Sequence, residues 1–298
     1  MNTGVETDLS QSQNDHSDWT STAIDNIWHQ IRGGQVALCR CAIALSLLAP
    51  FLILAYHFDT RTVLEVNPWV KPIKFTVSLF FYAITLSWFC NYLPHKWRDN
   101  KFFNRFTTLV ILCIALEILW LIYSAFIGEI SHFNRTHPIL STIYPLMGIV
   151  AVLLTTQSFV VGIGVWRNTH LALHHLIRNT LALGLITTFI LTLITAGYMS
   201  SGVGHKVLPV CVSGSSESET VIFIGWLRAA GDLRVAHFFA THAMHFIPFI
   251  GFLLARTFFI NTYPPRDRNI AILITVAYAM YVASVFIQAL TGRAFIAY

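Results

Sequence analysis

Residues 106–128 read FTTLVILCIALEILWLIYSAFIG: 23 residues with one charged side chain, Glu117. A helix needs roughly 20 mainly apolar residues to cross the hydrocarbon of a bilayer, whereas helices buried in soluble domains are shorter. Six further blocks of this kind are placed at about 35–57, 70–92, 142–165, 177–199, 234–258 and 269–291. The expected fold is therefore all-α: an integral membrane bundle of about seven transmembrane helices. Residues 1–31 form a polar, acidic tail without Lys or Arg, unlike the basic start of a signal peptide. Residues 32–298 form the membrane domain, with one long connection on the outer side at about 200–233.

Composition agrees. The chain is 55% hydrophobic and 11% charged, and soluble domains carry roughly 25% charged residues. Lipid supplies the solvent such a surface requires. The net charge of +5 sits at block ends and not in a run, so it is read as topology and not as a nucleic-acid surface. Cys39, Cys41, Cys90 and Cys113 fall in or beside apolar blocks and are read as packing groups. Cys211 lies in the long connection. The apolar stretch Val221 to Trp226 in that connection is read as lying on the membrane surface. Lys96, Arg98, Lys101 and Arg105 crowd the second connection, which places the N-terminus in the cytoplasm and the C-terminus outside.

Ionisable side chains within spans are costly, so each requires a partner or a task. At 3.6 residues per turn they form stripes. The second span carries Lys71, Lys74, Ser78, Tyr82 and Thr85 on one face, and the third carries Cys113, Glu117, Trp120 and Ser124. The sixth carries Arg234, His237, Thr241 and His245, with His242 turned aside. The seventh carries Ser284, Gln288 and Thr291, with Arg293 just beyond. With alternating spans, Lys71, Lys74, Arg234, His237 and Arg293 come to the outer side, together with the loop from Ser131 to His137 and with Asp232. Glu117 and His245 lie deeper.

The expected site is a polar cavity open to the outside. Lys71, Lys74, Arg234 and Arg293 would hold an anionic group, a carboxylate, phosphate or haem propionate. Glu117 and His245 would be a catalytic acid–base pair. His237, His245, His132 and Glu117 would complete a metal or haem site. Two functional classes follow. One is a metal- or haem-dependent membrane oxidoreductase or related enzyme. The other is a binding or transport protein for a small anion or lipid. A structural subunit of a membrane complex is the third reading.

Several segments resemble known families. Asn67-Pro-Trp-Val-Lys-Pro-Ile-Lys74, Ser131-His-Phe-Asn134 and Gly231-Asp-Leu-Arg-Val-Ala-His-Phe238 resemble segments of uncharacterised bacterial multi-pass membrane proteins. That resemblance implies a bacterial inner membrane and carries no reaction. His170-Leu-Ala-Leu-His174-His175 resembles one histidine box of membrane desaturases, which use several; no second box stands on that side, and a solvated interfacial loop is the expected role. The helix count, Glu117, Ser78 and the sixth-span histidines are similar to the seven-helix hydrolases that include alkaline ceramidases. The last span here, however, lacks their His-x-x-x-His.

Overall fold

A computed structural model describes residues 35–63, 66–132, 134, 137–171, 173–201, 221, 225–228, 230–258 and 263–296. The acidic tail and Cys211 lie outside the described residues. Eight principal helices follow in chain order: α1 (Val36–Phe58), α2 (Val70–Phe89), α3 (Lys101–Ile127), α4 (Pro138–Arg167), α5 (His175–Ser200), α6 (Leu233–Thr241), α7 (Ala243–Phe258) and α8 (Pro264–Leu290). There is no strand among the described residues, only an isolated bridge between Val63 and Val66. Six helices are long and apolar enough to cross a bilayer, and α6 with α7 forms a seventh span bent by 56°. The chain is a multi-pass, all-α membrane bundle.

Local chemistry sets the helix ends. Asn100 caps α3 by accepting from Phe102 N, and Gly128 ends it in the left-handed conformation, φ 73°. Pro138 and Pro264 occupy first-turn positions, where the missing N–H is no loss. α1 packs on α2, and α5 is the hub touching α4, α6, α7 and α8. One core cluster joins Leu38, Leu86, Val161, Leu181 and Met244 from five helices. Cys39, Cys90 and Cys113 are buried and free, in keeping with packing groups.

Small residues set the tightest seam, between α5 and α7. A Cβ on Gly184 would stand 2.9 Å from Pro248 Cδ and 3.1 Å from the carbonyl of Ala243. A Cβ on Gly251 would stand 2.7 Å from Thr180 Cβ. Gly148, by contrast, faces open space and serves no such contact. Gly251→Ala should therefore destabilise the bundle by about 1–3 kcal/mol, seen as a lower unfolding temperature in detergent, while Gly148→Ala should not.

The sixth span departs from the expected continuous helix. It breaks at His242, and neighbours take up the freed backbone. Thr188 of α5 accepts from Met244 N at 2.7 Å, and the Tyr278 hydroxyl of α8 donates to Phe239 O at 2.7 Å. His242 folds back on its own helix, Nδ1 2.8 Å from Phe238 O. Broken helices persist within a bilayer where such side chains satisfy the backbone.

The connection from α1 to α2 is stapled. Asn67 Nδ2 donates to Asp59 O at 2.7 Å, Trp69 Nε1 donates to Asp59 Oδ2 at 2.8 Å, and Arg61 pairs with Asp59 at 2.6 Å. Arg61 also donates to Phe126 O at 3.1 Å, meeting the carbonyl end of α3. Hydrogen bonds from the Arg61 side chain and backbone, and from Trp69, hold the Asp59 carboxyl well below the usual carboxylate range. Its stabilisation is present above roughly pH 4, the value for an unfolded chain, and fades as pH falls below it. Asp59→Asn should accordingly lower stability at pH 7, modestly because Arg61 is half exposed, and flatten the acid limb of a stability-against-pH curve, the two proteins converging as pH falls below about 4.

Candidate functional site

Lys71 is the second residue of α2. Its Nζ lies 2.7 Å from Ser131 Oγ and 2.8 Å from His132 Nδ1, and those two atoms are 2.9 Å apart. The loop that presents them is built by its own polar residues. Asn134, 3% exposed, donates to Glu129 Oε2 at 2.7 Å and accepts from His137 N at 2.9 Å. His137 then caps α4 by accepting from Leu140 N. The His132 ring meets Tyr144 edge-on at 5.4 Å. Burial, and then the charge of Lys71, push the His132 imidazole well below its ordinary pKa. An ammonium offers only donors, so His132 Nδ1 is the acceptor and its proton sits on Nε2.

The second wall comes from the start of α6. Asp232, 2% exposed, is its N-cap. It accepts from Arg234 N at 2.9 Å and from Leu227 N at 3.1 Å, and pairs with the Arg234 guanidinium at 2.6 Å. Arg234 also donates to Gly225 O at 2.8 Å. Gly225, φ 75°, lies against Lys74: a Cβ there would be 3.2 Å from Nζ. Lys71 and Lys74 both stand within range of the Arg234 charge, and Lys71 within range of Glu117. Cys113, Glu117, Trp120 and Ser124 are all buried on the inward face of α3, as their spacing implies.

Lys71 is thus joined to Ser131 and His132, and Lys74 lies at the Gly225 turn that Arg234 holds, with the Arg234 charge in range of both lysines and Glu117 in range of Lys71. The other expected members stand apart. His245 Nε2 meets Thr85 at 3.1 Å, four turns and roughly 21 Å below Lys71 on α2. His237 Nδ1 meets Thr195 of α5 at 3.0 Å. The break at His242 separates these two histidines from a common face. Among the described residues no three His, Cys, Asp or Glu side chains group closely enough to hold a metal ion. The set His132, His237, His245 and Glu117 forms no such group among the described residues. Arg293 is exposed beyond α8. Gln288 spends its amide on Ala294 O, and Ser284 bonds within its own helix.

Two further expectations are corrected. Trp226 does not lie on the membrane surface. It is buried, with Phe238 and Phe295 edge-on at 5.4 and 5.8 Å, and Val221 N donates to its carbonyl at 2.8 Å. His174 is not a solvated loop residue. It caps α5 by accepting from Leu176 N and approaches Asp267, a fully buried carboxylate, at 3.8 Å. Asp267 carried no signal in the sequence beyond its place in the first turn of α8.

Comparison with family models, with curated proteins and with solved structures yields no match.

Proposed function

We propose that this multi-pass membrane protein binds a small anion at its outer face and carries it across the bilayer. The observation that carries this reading is that Arg234 of α6 and Lys74 of α2, far apart in sequence, meet at Gly225, with Lys71 one turn from Lys74 and in range of the Arg234 charge. Lys71 is held by two neutral acceptors, Ser131 and His132, and among the described residues by no carboxylate within ion-pair distance. Of its three protons, one remains for a ligand. Arg234 is anchored by Asp232 and by Gly225 O.

The broken sixth span supports carriage as well as binding. Carriers place substrate beside discontinuous helices near the bilayer midplane, and α6, at 9 residues, ends about 13 Å below its start. The bacterial inner membrane, with the N-terminus in the cytoplasm, is the setting this reading takes from the Lys and Arg distribution and from the segment resemblance. A metal- or haem-dependent oxidoreductase has no comparable support, because the donor set does not converge.

Purified protein in proteoliposomes on a solid-supported membrane provides the test. Concentration jumps of carboxylate and phosphate salts should evoke a charge movement in the wild type that Arg234→Gln reduces strongly. Silence toward both anion classes would contradict carriage.

A further inference from the structure

Two polar groups at the floor of this site have no partner. Glu117 is 4% exposed, and its carboxylate makes no hydrogen bond among the described residues. The charge of Lys71 acts on it. Trp120, one turn nearer the mouth on the same helix face, has its indole Nε1 buried without an acceptor. Buried polar groups are almost always satisfied, and a carboxylate left unbonded in a bilayer is among the costliest exceptions. Here an acceptor and a donor share the inward face of α3 one turn apart, with the acceptor in range of the Lys71 charge.

A single ligand group answers both. A hydroxyl donates one hydrogen bond and accepts others, so it can give its proton to Glu117 and take that of Trp120 Nε1. An ammonium could serve Glu117 but offers Trp120 nothing. An apolar carbon serves neither. We propose, resting on the anion reading above, that the ligand is an α-hydroxy carboxylate. Its carboxylate would lie on Lys71 and Arg234, and its hydroxyl, on the adjoining carbon, on Glu117 and Trp120. A site built to bond a hydroxyl rejects the analogue lacking it, since both protein groups are then left unpaired.

The test is competition binding on full-length protein in nanodiscs, with radiolabelled lactate displaced by lactate, alanine or propionate. The three share a skeleton and differ in one substituent. Phenyllactate against phenylpropionate repeats the comparison in a larger frame. In the wild type the hydroxy acid of one series or both should bind at least roughly tenfold more tightly than its deoxy analogue. Glu117→Gln, nearly isosteric, should bring the two within about threefold of each other, and Trp120→Phe should narrow the gap in the same direction. Equal binding of hydroxy and deoxy acids, with both lost in Lys71→Met, overturns the hydroxyl assignment and leaves the anion site standing. Tighter binding of alanine would assign an amino acid instead. Carboxylate binding that Lys71→Met leaves intact overturns the anion reading as well, and so does the absence of any binding in either series.

Discussion

Replacing Lys71 with Met is expected to lower carboxylate affinity by about 30- to 3,000-fold while leaving the fold as stable as before or more so. Truncating one partner of a desolvated, hydrogen-bonded charge pair costs about 2–5 kcal/mol of binding, and each 1.4 kcal/mol is tenfold. In the free protein the balance runs the other way. The partly buried ammonium rests on Ser131 and His132, which are neutral, so its desolvation is only partly offset. A methionine of similar length removes that cost. Ser131 and His132 keep each other as partners at 2.9 Å. Binding lost with the unfolding temperature unchanged or raised would mark Lys71 as a residue kept for its ligand. Binding lost together with the fold would mark it as structural.

Asp232→Ala should have the largest effect on stability, about 2–4 kcal/mol. The carboxylate is 1% exposed at its side chain. It caps α6, accepts from Leu227 N and holds Arg234. Truncation leaves a buried N–H without an acceptor and frees the guanidinium from its fixed place. The ion pair itself adds modestly, because Arg234 is 44% exposed at its side chain. Asp232→Asn keeps the cap and should retain more than half of the stability. Unfolding temperatures of the two variants in one detergent would separate the cap from the charge.

These expectations show where sequence was sufficient and where it was not. The spans were legible because lipid imposes a length that no soluble core imposes: six of the seven blocks became single helices within a few residues, and the sixth became a bent pair. The α3 stripe was legible for a similar reason. Glu117, Trp120 and Ser124 recur at helical spacing, and all are buried. Alternating topology alone put Lys71, Lys74 and Arg234 on one side, and Arg234 and Lys74 do meet at Gly225.

The sixth span was not legible. Its break falls at His242 and Ala243, with no Gly or Pro at the joint, and the side chains supporting it, Thr188 and Tyr278, lie on other helices. Periodicity assumes a straight axis, so His237 and His245 were assigned one face that the bend divides. Ser131 was read only as part of an outer loop, because its bond to Lys71 depends on how Asn134 folds that loop.

Everything proposed depends on Lys74 and its neighbours facing a wet pocket at the outer mouth instead of lipid. Thiol labelling tests this directly. In a variant without native cysteines, Lys74→Cys in right-side-out vesicles should react with a membrane-impermeant anionic thiosulfonate, and saturating carboxylate should slow the reaction severalfold. A cysteine there that reacts only with a lipid-soluble reagent, or at a rate no anion alters, would contradict the outer site.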